Sequence, residues 1–266
     1  MKMYDYFSGK KLYGDDFDLV QIQEWFEDEA EGYANLGASK REKYVYSYHE
    51  LNAKYGFRFL PDKDFLHALG LGSAYGDEFI PIINQIKQIT ILDPSDAFVV
   101  DKICNVPVSF EKPRPDGMLP FSADSFDLEI CFSVLHHIPN VSTVIQELFR
   151  CLKPNGYLLV REPTISMGDW NKPRRGLTKR ERGIPIDILR KIILGAGFRI
   201  VHEQRCMFSL TSRLRYILKS PVYNSHIALT IDEILCQLFS WNKKYHPLNA
   251  FDKLRPTAAF YVLGKD

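Results

Sequence analysis

No run of apolar residues in this chain is long enough to cross a bilayer, no Cys-x-x-Cys pair is present, and neither charge predominates. The first absence argues against a membrane-spanning helix. The second removes the common zinc and redox motifs, so no metal is expected. With a formal net charge of +1, the chain has no electrostatic footprint for nucleic acid or an anionic membrane. The five cysteines, Cys104, Cys131, Cys151, Cys206 and Cys236, are widely spread and read as reduced thiols rather than a disulfide framework. The opening "MKMYDYFSGKKLYGDD" lacks the apolar core of a secretory leader, and a cytoplasmic location is expected. There is no internal repeat and no low-complexity tract.

What is present is an ordinary globular composition, 45% hydrophobic and 25% charged over 266 residues, enough for one large core with embellishments. Residues 1–60 form an acidic, tyrosine-rich arm or lid. "DLVQIQEWFEDEAEGYANL" sets Leu19, Ile22, Trp25 and Phe26 at helical spacing, and "REKYVYSYHELNAKYGF" reads as a second helix with Tyr44 and Tyr48 on one face. From 61 to 266 short apolar runs alternate with helical patterns. "FLHALGLG", "ITILD", "FDLEICFSV", "YLLVRE", "FRIVHEQRC" and "AAFYVLGK" read as strands. "DEFIPIINQI", "AFVVDKI", "VSTVIQELFRCL" and "PIDILRKIILGAG" read as helices. This alternation predicts an α/β, Rossmann-like fold, a mostly parallel sheet with helices on both faces. Residues 209–250 interrupt it and read as a helical cap over the ligand edge.

In "FLHALGLGSAYGDEF", Gly70 and Gly72 follow a strand and precede a helix. Glycines there let backbone approach a ligand closely, because a Cβ would fill that space. Asp93 ends the next strand, about twenty residues on, where a carboxylate accepts ribose hydroxyls. The spacing is wrong for the dinucleotide fingerprint, which disfavours a nicotinamide-dependent oxidoreductase.

Residues 116–163, with "LPF", "SFDLEICFSVLHHI" and "LKPNGYLLV", resemble class I S-adenosylmethionine-dependent methyltransferases of the type 11, ubiquinone/menaquinone-like subgroup. With the glycine turn and Asp93 the resemblance covers about residues 65–165. It implies a seven-stranded sheet whose last strand, "AAFYVLGK", inserts antiparallel. It also implies S-adenosyl-L-methionine as cofactor and S-adenosyl-L-homocysteine as product. Gly70, Leu71, Gly72 and Ser73 would line the methionine and ribose side, and Asp93 would take the ribose hydroxyls. Pro94, Ser95, Asp116 and Gly117 would meet the adenine, and Phe132 and Ser133 the methionine end. Two positions depart from the family pattern. Ala68 stands where an acid orients the cofactor's ammonium end, and Ala74 replaces the third glycine. The arm acids Asp15, Asp16, Glu29 and Glu31 are the expected substitutes for that carboxylate.

Methyl transfer to a hydroxyl needs a base, for which His136, His137 and His49 are the candidates. The segment 161–185 carries Arg161, Glu162, Trp170, Arg180 and Arg182, a mixture suited to a sugar-like or anionic acceptor. The arm and "GLTKRERGIP" are similar to methyltransferase-like proteins of bacterial glycan gene clusters. The expected activity is therefore O-methylation of a sugar-like or other small-molecule acceptor. Ala68 and Ala74 support a second reading, a methyltransferase-like binding or scaffold protein without turnover.

Overall fold

The computed structural model describes residues 3–36, 41–174, 176–214 and 221–266. The arm contributes α1 (Met3–Phe7) and α2 (Leu19–Leu36), followed by α3 (His49–Tyr55). The sheet begins with β1 (Ala68–Leu71), β2 (Ile89–Leu92), β3 (Lys102–Ile103), β4 (Val106–Glu111) and β5 (Phe126–Phe132). After α4 (Val141–Cys151) come β6 (Leu152–Pro163), α5 (Ile186–Gly195), β7 (Arg199–Phe208), α6 (His226–Leu238) and β8 (Pro256–Gly264).

The eight-stranded order is β3-β4-β2-β1-β5-β6-β8-β7. Strands β4, β2, β1, β5 and β6 are parallel, and β8 enters antiparallel between β6 and β7 as the resemblance implied. The strand beyond the expected seven is β3, a two-residue edge piece paired antiparallel with β4. It takes up part of "AFVVDKI", whose only helical turn is 3-10, at Asp96–Phe98.

β1 and β2 are buried along their whole length because helices cover both sheet faces. On one face α4 presents Val141, Val144, Ile145, Leu148 and Cys151, spaced for a single helical stripe, and packs with Leu189 and Ile193 of α5. The other face is closed by Leu51 and Tyr55 of α3, Phe79 and Ile82, and Leu229 of α6.

Two helical expectations are corrected. Residues 41–57 are not one helix: a 3-10 turn at Arg41–Lys43 leads into an irregular stretch before α3. Tyr44 packs edge-on against Tyr75, and the Tyr46 hydroxyl accepts from Asn52 Nδ2 at 2.8 Å. These tertiary contacts override the helical pattern. "DEFIPIINQI" is a 3-10 helix, Asp77–Gln85, with Pro81 inside it. Pro81 has no N–H for an i−4 carbonyl, so an α-helical ladder is broken here. His49 Nε2 donates to the Asp77 carbonyl in the first turn of this 3-10 helix, at 2.9 Å.

The insertion before β8 starts and ends at the carboxyl edge of the sheet. α6 lies along β7 and receives the N–H groups of Met207 and Phe208 on Asp232 (2.9 and 2.8 Å). Residues 240–250 pack on the 164–185 segment, where the Tyr245 hydroxyl donates to the Gly183 carbonyl and His246 meets Ser166.

Candidate active site

The turn after β1 lies at the carboxyl end of the sheet, where ligands bind in folds of this type. Gly72 has φ +60°, and a Cβ there would lie 2.6 Å from Val134. Ala74 also adopts a left-handed conformation, φ +46°, and its N–H donates to Asp93 Oδ2 at 3.2 Å. Asp93 Oδ1 accepts from Ser95 N at 3.0 Å. Burial raises the Asp93 pKa, and these two backbone N–H groups oppose the rise. The acid is thus fixed to the turn, yet a carboxylate has about four acceptor positions and two are taken here.

One cavity joins these elements. Leu71, Gly72, Asp93, Pro94, Gly117 and Ser133 line it, with His137 opposite, and Phe26 and Glu29 of the arm complete its wall. Ser95 sits beside Asp93, and the Asp116 carbonyl accepts from Asn140 Nδ2 at 2.7 Å. Asn140 Oδ1 is buried without a hydrogen-bond donor, next to Gly117. An adenosine fits this set: free acceptor positions on Asp93 for the ribose hydroxyls, an unused amide oxygen for the adenine amino group, and apolar walls between.

The histidines separate into three roles. His137 lines the cavity, and its Nδ1 donates to Glu29 at 2.8 Å. Glu29 also accepts from Thr178 Oγ1 (2.7 Å) and Arg180 N (3.2 Å). His136 is buried outside the cavity, donating through Nδ1 to Glu162 at 2.8 Å with Nε2 3.5 Å from Glu181. Burial alone would lower its pKa, but Glu162 and Glu181 outweigh that and raise it to about 9. Burial would likewise raise Glu181, which His136 and His137 bring down to about 2. His136 is therefore a protonated structural cation at neutral pH and a poor base. His49 is committed to the Asp77 carbonyl. His136, His137 and Glu181 bring ligand atoms within 4.8 Å of one another, but the two carboxylates already hold the His136 proton charge.

Most of the residues expected to meet an acceptor are tied into the protein. Trp170 has Phe7 stacked at 4.5 Å and Tyr13 at 5.3 Å, so its ring is not open for a sugar. Arg180 pairs with Asp28. Arg182 is fully buried, with its guanidinium on the carbonyls of Tyr13, Leu135, His136, Ile138 and Pro139. Glu162 holds the backbone N–H groups of Val134 and Leu135 at 2.7 and 2.8 Å. Arg161 alone reaches the cavity wall, through Ser133. Among the arm acids, Asp15 caps α4 at Ser142, Asp16 accepts from Tyr6, and Glu29 reaches the cavity. The Glu31 side chain lies outside the described residues.

A parallel sheet in this order, with its antiparallel seventh core strand, a glycine turn and an acid ending the second strand, defines the class I methyltransferase fold. Residues 69–160 match the family model described as a methyltransferase domain. The matched stretch carries the glycine turn, Asp93 and β5, so this part of the chain is similar to methyltransferase domains. A stretch of 108 residues, 41% of this chain, is 28% identical to the hybrid PKS-NRPS synthetase ucsA of Acremonium sp, and it spans 3% of that protein. An S-adenosylmethionine-dependent methyltransferase from Mesorhizobium loti matches 77% of this chain and 94% of its own (TM-score 0.51, 16% identity). Phosphoethanolamine N-methyltransferase 2 of Haemonchus contortus, in complex with S-adenosyl-L-methionine, matches 100% of this chain and 60% of its own (TM-score 0.55, 15% identity). The [4+2]-cyclase SpnF matches 77% and 76% (TM-score 0.50, 19% identity). Among the described residues no helix is long and apolar enough to cross a membrane.

Proposed function

We propose that this protein transfers a methyl group from S-adenosylmethionine to a hydroxyl of a small-molecule, sugar-like acceptor. The observation that carries the reading is the single cavity shared by the Gly72 turn, Asp93 and the Glu29–His137 pair. Because the same fold also serves a [4+2]-cyclase, the reaction has to be argued from the site. The cofactor supplies the activated methyl group, and the protein's part is to bind, orient and manage a proton. Asp93 holds the ribose, Pro94, Ser95, Asp116 and Gly117 surround the adenine, and Gly70, Leu71, Gly72, Ser73, Phe132 and Ser133 take the methionine side. His137 accepts the acceptor's hydroxyl proton. Glu29, bonded to Nδ1, makes Nε2 the basic nitrogen of the neutral ring, the arrangement by which a carboxylate orients a catalytic histidine. Support for a sugar-like acceptor comes from the similarity of the arm and the 176–185 loop to glycan-cluster proteins.

Calorimetric titration with S-adenosylhomocysteine tests the cofactor half of this reading. Micromolar binding that weakens at least about tenfold in Asp93→Asn is expected, the loss of a charge-assisted hydrogen bond. No binding at high micromolar ligand would contradict it. Transfer of a labelled methyl group to a panel of monosaccharides and nucleotide-sugars tests the acceptor half.

A further inference from the structure

A second polar cluster lies at the carboxyl ends of β5 and β6, against α3. Its centre is Arg161, 2% exposed. Arg161 Nη1 donates to Asn52 Oδ1 at 2.6 Å and Nη2 reaches Ser133 Oγ at 3.5 Å. Tyr48 and Phe132 lie over the guanidinium at 4.2 and 5.1 Å. Among the described residues no carboxylate lies within 4.0 Å of it, and its Nε, fully buried, has no acceptor. A buried cation without a counter-charge is costly, and it signals a partner that arrives from outside.

The matching negative group is Glu78, 4% exposed. Its neighbour Asp77 is taken by both terminal nitrogens of Arg41 (2.6 and 2.8 Å), and no cation pairs with Glu78 itself among the described residues. Burial pushes its carboxyl up to about 7, opposed by the Ser73 hydroxyl and the Arg161 charge. Ser73 in turn occupies the space beside Gly70. The two residues meet the same helix: α3 holds Arg161 through Asn52 and, one turn earlier, the Asp77 carbonyl beside Glu78 through His49, and no salt bridge joins Arg161 to Glu78. Ser133 borders both this cluster and the cavity wall.

We propose that Glu78 and Arg161 bind the α-ammonium and α-carboxylate groups of the cofactor's amino-acid tail, in place of the acid absent at position 68. A zwitterion neutralises both buried charges at once, and it supplies an acceptor to Arg161 Nε. The inference rests on the cofactor reading above and deepens it: the carboxylate missing from the strand is provided by the helix that follows the turn, and not by the arm.

The test compares two ligands on the whole protein. S-adenosylhomocysteine carries the amino-acid tail, and 5′-methylthioadenosine has the same nucleoside and thioether without it. In the unaltered protein the first is expected to bind at least about a hundredfold more tightly, from two charge-assisted contacts. Glu78→Gln and Arg161→Lys should each weaken S-adenosylhomocysteine by about tenfold or more while leaving 5′-methylthioadenosine affinity unchanged, which also shows that the variants are folded. Equal weakening of both ligands, or no weakening of either, would overturn the assignment. Equal affinity of the unaltered protein for both ligands would overturn it while leaving the adenosine site standing. If the unaltered protein bound neither, the cofactor reading would fail and this inference with it.

Discussion

Glu29, on the arm helix, holds Nδ1 of His137, on the loop after β5, at 2.8 Å. A residue from the arm thereby orients the ring that faces the cavity. Replacing Glu29 with Gln removes the acceptor charge but keeps the volume. Turnover should fall by about 10²-fold or more, in the range lost with a general base, while S-adenosylhomocysteine affinity stays within about threefold. A variant with full turnover would remove His137 from the proton-transfer role.

His49 ties α3 to the 3-10 helix after the glycine turn through the Asp77 carbonyl. His49→Ala leaves that carbonyl without the imidazole donor, which should cost about 1–2 kcal/mol in urea unfolding. Turnover per folded molecule should stay near that of the unaltered protein. A large loss of turnover without loss of stability would return His49 to the catalytic candidates.

Trp25 fixes the arm to the body. It is fully buried, its Nε1 donates to the His137 carbonyl at 2.7 Å, and Arg182 lies over its ring at 5.1 Å. Trp25→Ala should cost about 3–5 kcal/mol and expose the arm to limited proteolysis, whereas Trp25→Phe should cost less by retaining most of the packing. Equal stability of both variants would contradict an anchoring role.

The buried pair His136 and Glu181 gives the protein a pH signature. The folded pKa of His136, about 9, lies above its unfolded value, so its stabilisation is whole below about pH 6.5 and is lost as pH rises through 9. Glu181, held at about 2, stabilises fully above about pH 4.5 and loses this as pH falls through 2. Between pH 6.5 and 9 the loss from His136 should be about 3 kcal/mol. His136→Gln should flatten that alkaline slope in denaturant unfolding. An unchanged slope would show that His136 is not the group titrating.

Gly72 tests the turn. Alanine there must hold φ +60° and place its Cβ 2.6 Å from Val134. The backbone alone costs about 1–2 kcal/mol, and the clash adds to it. Gly72→Ala should lower both stability and S-adenosylhomocysteine affinity, and adding Val134→Ala should recover only the part due to the clash. A fully active Gly72→Ala would argue against close approach of ligand and backbone.

The strand rhythm and the glycine turn were readable because alternating buried strands and amphipathic helices leave periodic marks. α4 shows its stripe plainly, and β8 was placed by resemblance alone. Residues 41–57 misread because the tyrosines pair with Tyr75 and Asn52, partners remote or off-period in sequence. Arg182 and Trp170 looked like ligand contacts, since residue type does not reveal that a guanidinium will be spent on backbone carbonyls or a ring covered by Phe7 and Tyr13. Glu78 is hard to read for the opposite reason: an acid opening a helix looks like a partner of the helix dipole. Nothing local announces that it is buried without a cationic partner among the described residues.

A crystal structure with S-adenosylhomocysteine decides most directly whether the cavity beside Gly72 is a cofactor site. The ribose hydroxyls should lie on the Asp93 carboxylate, with the adenine between Pro94 and Gly117 and the sulfur facing His137. Ligand seated elsewhere, or Val134 and Phe26 closing the cavity at saturating ligand, would contradict the methyltransferase assignment at its root.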